Sequence, residues 1–462
     1  MKKLEQKGCI KYNIIELLYP ERKKKMDLIT QKVYGAEDVL PADSYKWQFV
    51  EDIMRGQAQS YGFKEIRTPV FEHTVLFNRS VGDTTDIVQK EMYSFTTKGG
   101  DEISLKPEGT AGAARAMLEH KLFAAGYPIK TYYITGCYRY EKKNFGRQRE
   151  FHQFGMETYG AASPFADAEV ICAANSIFDR LDVKNISLEI NSIGCPKCRP
   201  KYYDALKEYF GAHREELCET CHSRLERNPM RILDCKEKKC SEIAAGAPVV
   251  LDYICEDCSS HFEGVKSCLD AVGIEYKVNP AIVRGLDYYT KTVFEFVAPE
   301  VGTVCGGGRY DGLIEELGGQ PTPALGFGLG IERLLILLEK QNVQIELPPA
   351  CDIYIAGISE KGKLKAFELT EGIRNASLIA ECDVIGRKLM PQMKYANKIK
   401  AKFSMVLGDD EIESGKAKLK NMLSGTEKEV PLNEDFYDRF FSIYVNGAND
   451  TFMEKLGLSI EE

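Results

Sequence analysis

A chain of 462 residues with 44% hydrophobic and 28% charged side chains is too long for one ordinary core and predicts two to four globular domains. Its formal net charge of -8 excludes a basic field over the whole molecule, so a nucleic-acid partner must be met by local basic patches. No stretch approaches the roughly 18 uninterrupted apolar residues of a membrane span, and fifteen cysteines in so long a chain predict reduced thiols rather than a disulfide scaffold.

Residues 1–25 match nothing that follows and end in the charge run Glu21-Arg22-Lys23-Lys24-Lys25. The apolar run at 14–18 is interrupted by Glu16 and is shorter than a secretion signal requires. The expectation is a cytoplasmic protein with a solvated N-terminal extension and Met26 as a candidate start. A helix is predicted over 46–61, where Trp47, Val50, Met54 and Ala58 share a face and Tyr61-Gly62 ends it. Residues 65–70 read as a strand whose Pro69 marks an edge or an interface. A helix over 111–122 and strands over 132–141 and 150–159 follow.

Residues 194–270 differ in composition, holding nine of the fifteen cysteines between charged helical stretches. Strand-like patterning returns over 276–296 and 302–310, and 324–339 is a glycine-rich strand passing into an apolar helix. Residues 342–350, with Pro348-Pro349, read as a linker. Beyond it, strands at 352–356, 379–385 and 403–407 alternate with helices at 364–375 and 388–399, the pattern of a small parallel-type α/β domain. The predicted division is an extension (1–25), a core in two parts (26–193 and 271–341), a cysteine-rich insertion (194–270), the linker, and a C-terminal domain (351–462).

The richest segment is 136–157, GCYRYEKKNFGRQREFHQFGME. Two strands flank a loop carrying Lys142, Lys143, Arg147 and Arg149. Side chains alternate along a strand, so Arg139 and Glu141 share a face of the first, and Phe151, Gln153, Gly155 and Glu157 share a face of the second. His152, Phe154 and Met156 take the other side. A row of polar groups beside a glycine points to a ligand face; a solvated charged hairpin is the plainer alternative. Further clusters are VRGLDYYT with Arg284, Tyr288 and Tyr289, GGGRYD with Arg309 and Tyr310, and LGFGLGIERLLILL with Arg333. The last has GxGxG spacing and no suitable acid about 20 residues on, so it is not a dinucleotide fingerprint. A glycine strand on which a flat base lies fits better, and Arg333 is left unexplained by packing.

With LKPEGTA at 105–111 and TTDIVQKEMY at 84–93, these segments resemble motifs two and three of the class II aminoacyl-tRNA synthetases and the two signatures of their histidine-specific family. The similarity spans roughly 34–430. One departure is Lys106, where the family pattern has arginine; charge is kept and the planar fork is lost. The resemblance implies an α+β core built on an antiparallel sheet, a C-terminal anticodon-binding α/β domain, ATP with Mg2+, L-histidine and tRNA(His) as partners, and a homodimer formed through 65–70. It implies that Arg139 and Arg284 grip the α-phosphate and the substrate carboxylate. Glu141, Arg147, Phe151 and Arg333 would hold ATP, with Arg149 near phosphates or the tRNA end. Glu108, Thr110 and Gln153 would bind the α-amino group, and Glu157, Tyr288, Tyr289 and Tyr310 the imidazole. Arg387 and Lys388, Lys394, Lys398 and Lys400 would meet RNA. A related non-charging protein, the regulatory subunit of ATP phosphoribosyltransferase, shares this core but would be expected to lack the anticodon domain and the arginines.

Three CxxC pairs, Cys195/Cys198, Cys218/Cys221 and Cys255/Cys258, with Cys235 and Cys240 between, have zinc-ligand spacing. They permit one or two four-thiol sites and leave open which thiols share an ion. Reduced thiols in a variable insertion are the alternative. The segment is expected to grip the tRNA acceptor arm.

Overall fold

The computed structural model describes residues 30–82, 85–142, 146–347 and 351–455; the extension at 1–25, Lys143 and Pro348-Pro349 lie outside them. Contacts divide the chain after Gln344 into two units.

In the first unit, α1 (Ser44–Ser60) buries Val50, Met54 and Ala58 along one stripe. Then come β1 (Lys64–Glu65), β2 (Phe71–His73), α2 (Thr74–Val81), β3 (Ser94–Thr96), β4 (Glu102–Leu105) and α3 (Thr110–Glu119). The hairpin β5 (Ile129–Tyr138) and β6 (Glu150–Tyr159) leads to α4 (Pro164–Arg180) and β7 (Ser187–Ser192). Ser163 caps α4 by accepting the Phe165 N–H, with Pro164 at the first helical position. The cysteine-rich segment forms α5 (Arg199–Ala212), α6 (Glu219–Arg227), α7 (Lys238–Ala244) and α8 (Glu256–Ala271). The unit closes with β8 (Lys277–Val278), β9 (Thr290–Ala298), β10 (Gly302–Arg309), α9 (Leu313–Glu316), β11 (Ala324–Gly330) and α10 (Ile331–Lys340).

Eight strands form one sheet in the order β1-β5-β6-β11-β10-β9-β7-β8. It is antiparallel from β5 to β7, with a two-residue parallel strand at each edge. The strand expected over 65–70 shrinks to Lys64–Glu65, paired to Thr131 and Tyr132; Pro69 cannot donate to a ladder, and the chain leaves the edge. The patterning over 276–296 resolves into β8 and β9 around a loop that begins at Asn279-Pro280. One apolar cluster joins Met117 and Tyr159 of the sheet region to Tyr202, Phe210 and Leu225 of the cysteine-rich segment and to Tyr289 and Tyr310. That segment therefore shares its core with the sheet.

The second unit contains β12 (Cys351–Gly357), α11 (Glu360–Asn375), β13 (Ala380–Cys382), α12 (Leu389–Lys398), β14 (Ala401–Leu407), α13 (Asp409–Ser414), β15 (Lys416–Asn421), β16 (Glu427–Pro431) and α14 (Phe436–Lys455). Its sheet runs β13-β12-β14-β15-β16. The first three strands are parallel as expected, and an antiparallel hairpin that the alternation did not announce extends them. The strand expected to reach 385 stops at Cys382, because Asp383 folds back to accept from Arg387 Nε at 2.6 Å.

Candidate active site

β6 lies between β5 and β11, and its parity is the one the sequence implies. Phe154 and Met156 are buried in the sheet's packing face. His152 turns with them, and Glu332 accepts from its backbone N–H at 2.8 Å and lies 2.9 Å from Nδ1. That hydrogen bond raises the imidazole pKa. Gln153 and Glu157 point the other way.

Glu157 is fully buried. Its Oε1 accepts from Thr110 Oγ1 at 2.6 Å and Tyr133 OH at 2.9 Å, and its Oε2 accepts from Tyr310 OH. Burial pushes its carboxyl up to about 8 despite these donors. Beside it, Glu108 accepts the N–H groups of Thr110 at 2.7 Å and Ala111 at 2.8 Å, which starts α3. Gln153 Oε1 accepts from Gly109 N at 3.0 Å. The rings of Tyr288, Tyr289 and Tyr310 pack together, with centroids 4.7 to 6.3 Å apart.

The glycines here make room for protein, not only for ligand. A Cβ at Gly326 would lie 1.8 Å from Glu157 Oε2, one at Gly328 2.2 Å from Gln153 Nε2, and one at Gly306 2.4 Å from Arg284 Nη1. Gly109 and Gly155 leave space for the Tyr133 ring in the same way, at 2.2 and 2.3 Å. The expected glycine strand is thus narrowed: side chains of β6 approach Gly326 and Gly328, while Gly328 and Gly330 line the cavity beside them. Only at Gly330 does the space stay open.

Next to this closed end is a cavity of about 510 Å³, which Arg139, Glu141, Arg147, Phe151, Gln153, Arg284 and Arg333 all line. Arg139 Nε donates to Pro107 O at 2.8 Å, and its guanidinium lies 5.2 Å from the Phe151 ring centre. Arg147 reaches Glu141 Oε2 at 3.1 Å. Arg284 pairs with Glu295, whose other oxygen accepts from Thr303 Oγ1 at 2.7 Å. Burial opposes the Arg284 charge, but Glu295 and Tyr289 together outweigh it and raise the pKa. Arg333 donates to Thr303 O; burial, with Arg147 nearby, lowers its pKa.

Arg149 does not line the cavity: its guanidinium sits 3.8 Å over the Tyr140 ring and its Nε bonds Glu141 O at 3.3 Å. Lys106 is buried and donates to Thr68 O at 3.2 Å, where burial lowers its pKa. Arg387 is paired with Asp383, while Lys388, Lys394, Lys398 and Lys400 are exposed. Arg309, next to Tyr310, belongs to a buried ionic cluster with Asp167, Asp311 and His261.

Sequence reading missed Tyr133, Glu295, Thr303, Arg231 and Glu332. Glu295 carried a signal, since period two places it opposite the buried Phe294 and Phe296. Glu332 carried none, because its partner lies 180 residues away. Eight of the nine cysteines of the insertion gather in two groups, Cys195, Cys198, Cys255 and Cys258, and Cys218, Cys221, Cys235 and Cys240.

Residues 35–334 match the family model described as histidyl-tRNA synthetase, and residues 352–436 match an anticodon-binding domain. The chain is 56% identical to the histidine–tRNA ligase of Clostridium novyi (strain NT), over 86% of this chain and 96% of that one. It is similar to the apo histidyl-tRNA synthetase structure from S. aureus, with TM-score 0.76, 37% identity, and coverage of 87% and 98%. A Bacillus halodurans structure described as an ATP phosphoribosyltransferase regulatory subunit/histidyl-tRNA synthetase shares the fold at 21% identity and TM-score 0.60, over 83% of this chain and 99% of that one.

Proposed function

The chain belongs to the histidyl-tRNA synthetase family, and from that premise we infer that it is a histidine–tRNA ligase working in two steps. A carboxylate oxygen of histidine attacks the α-phosphorus of ATP; the new O–P bond forms as the bond to pyrophosphate breaks. The terminal ribose hydroxyl of tRNA then attacks the acyl carbon, and AMP leaves. Such transfers depend on positioning and charge stabilisation.

The observation that carries the reading is Glu157, a buried carboxyl set among three hydroxyls beside a cavity of arginines. Imidazole offers two distinct nitrogens, and a carboxyl fixed by its neighbours can be matched to one of them. Glu157 with Tyr288, Tyr289 and Tyr310 reads the ring. Glu108 retains lone pairs beyond the two used on α3, and with Gln153 and Thr110 it takes the α-amino group. Arg284 and Arg139 meet the carboxylate and the α-phosphate. Phe151 lies along the adenine, with Arg333, Arg147 and Glu141 toward the phosphates. Mg2+ bound with ATP supplies charge neutralisation for the leaving pyrophosphate. Glu91 and Glu141 both line this cavity and would be the carboxylates available to such an ion.

The second unit matches an anticodon-binding domain, and its exposed lysines on and around α12 are suited to single-stranded RNA. This domain and the three cavity arginines disfavour the non-charging paralogue. Homodimerisation is supported by a broad surface cavity of about 1220 Å³ between residues 62 and 131, flanked by exposed Val70, Phe71, Phe95 and Tyr127. The cytoplasm is the expected compartment, where tRNA and ATP meet reduced thiols. Among the described residues no helix is long and apolar enough to cross a membrane. ATP–pyrophosphate exchange with each of the twenty amino acids tests the assignment. Exchange with histidine alone is expected; exchange with none, or with another amino acid, would sink it.

A further inference from the structure

Aminoacyl transfer makes no use of the thiols of the cysteine-rich segment, yet eight of the nine stand in two closed groups. Within each, the sulfur atoms lie within 4.8 Å of one another. Separations are 3.7 Å for Cys195–Cys198, 3.9 Å for Cys195–Cys255, 3.8 Å for Cys198–Cys258 and 3.9 Å for Cys218–Cys235. A disulfide requires about 2.05 Å. Four thiolates about 2.3 Å from a tetrahedral ion stand about 3.8 Å apart, and that is the spacing seen. The sulfurs also accept backbone N–H groups, Cys198 from Cys255 at 3.0 Å and Cys240 from Cys218 at 3.2 Å. Cys198, Cys218 and Cys255 each occupy the N-cap of a helix, so the paired thiols are fixed at helix starts.

What the groups hold in place is visible on the other side of the segment. Arg199, next to Cys198, donates to Tyr289 O. Asn228 and Arg231 lie between Cys221 and Cys235. Asn228 Nδ2 donates to Asp287 Oδ1 at 3.0 Å, and Arg231 Nη1 donates to Arg284 O at 2.9 Å. Arg224 fixes Arg231 in turn through its carbonyl at 3.2 Å. The loop carrying Arg284 and Tyr289 is therefore held at three points by a segment that includes helices of only nine and seven residues. Helices so short have little stability of their own.

We propose that Cys195/Cys198/Cys255/Cys258 and Cys218/Cys221/Cys235/Cys240 each bind one Zn2+ ion, and that these ions position the Arg284–Tyr289 loop through Arg199, Asn228 and Arg231. Each ion displaces thiol protons and forms four Zn–S bonds without redox change. Soft thiolates select zinc over the Mg2+ that accompanies ATP. The positioning half rests on reading the loop as part of the histidine site; the metal half does not.

Elemental analysis of the full-length protein, purified without chelator, should give two zinc ions per chain. Cobalt exchanged into it should show the charge-transfer and visible bands of tetrahedral tetrathiolate sites. Cys195→Ser and Cys235→Ser should each lose one ion. Only trace metal, iron in place of zinc, or eight thiols that react equally fast with and without chelator would overturn the sites; these wild-type measurements decide even where a variant does not fold. In Cys235→Ser the KM for histidine should rise at least about tenfold, since misplacement by about 1 Å can cost on the order of 10²-fold. Cys235→His, which restores a ligand, should recover both zinc and KM. An unchanged KM in a chain short of one zinc would overturn the positioning role. Absence of exchange in the zinc-replete wild type would instead strike the ligase reading, leaving the metal count intact.

Discussion

The two ends of the site solve opposite problems. Around Glu157 the polar groups are buried and satisfy one another, and the gaps left by Gly326 and Gly328 are filled by the protein's own side chains. In the cavity around Arg139, Arg284 and Arg333 the groups are charged, partly open and only partly neutralised by Glu141 and Glu295. A closed end of prearranged hydrogen bonds suits discrimination, because a wrong substrate leaves buried groups unpaired. An open cationic end suits a polyanion whose charge moves during reaction. Selectivity and rate should therefore separate by region.

Arg284→Ala attacks the cationic end and should have the largest effect, a loss of adenylation on the order of 10³-fold. Circular dichroism should show near-native folding. Retained ATP–pyrophosphate exchange would remove Arg284 from the chemistry. Glu157→Gln attacks the closed end and should raise the KM for histidine on the order of 10²-fold, with the KM for ATP little changed. If both constants rise together, the division between the two ends fails.

The same carboxyl makes a pH prediction. Its pKa is raised in the fold to about 8, against about 4.3 in an unfolded chain. A raised folded pKa contributes stability that is complete below the unfolded value and is lost as pH rises through the folded one. Wild type should therefore lose on the order of 2 kcal/mol relative to Glu157→Gln between pH 6 and 8, measured by denaturant melts without ligand. Parallel pH profiles would show that the carboxyl is not protonated in the empty site. The smallest effect is expected for Phe151→Leu, about a tenfold rise in the KM for ATP from lost base stacking. A rise in the KM for histidine instead would place the ring at the wrong end.

Much of this was legible in the order of residues. Strand parity placed Gln153 and Glu157 on one face and Phe154 and Met156 on the packing face, because period two survives any packing arrangement. The stripe of Val50, Met54 and Ala58 announced α1 for the equivalent reason in a helix. The segment at 65–70 was misjudged, because apolar residues around Pro69 look like a strand whether or not a ladder exists to join.

The sequence by itself determined the periodicities, the charge types of the site and the presence of eight thiols with ligand spacing. Only the tertiary structure decided which thiols meet, since Cys198 and Cys258 are brought to 3.8 Å across 60 residues. It likewise decided that Arg149 leaves the cavity for Tyr140, that Tyr310 reaches Glu157 from 153 residues away, and that the glycines of β10 and β11 accommodate Arg284, Glu157 and Gln153. The reason is physical: local propensity acts within a few residues, whereas pairing and close approach are set by the sheet register that brings distant strands together.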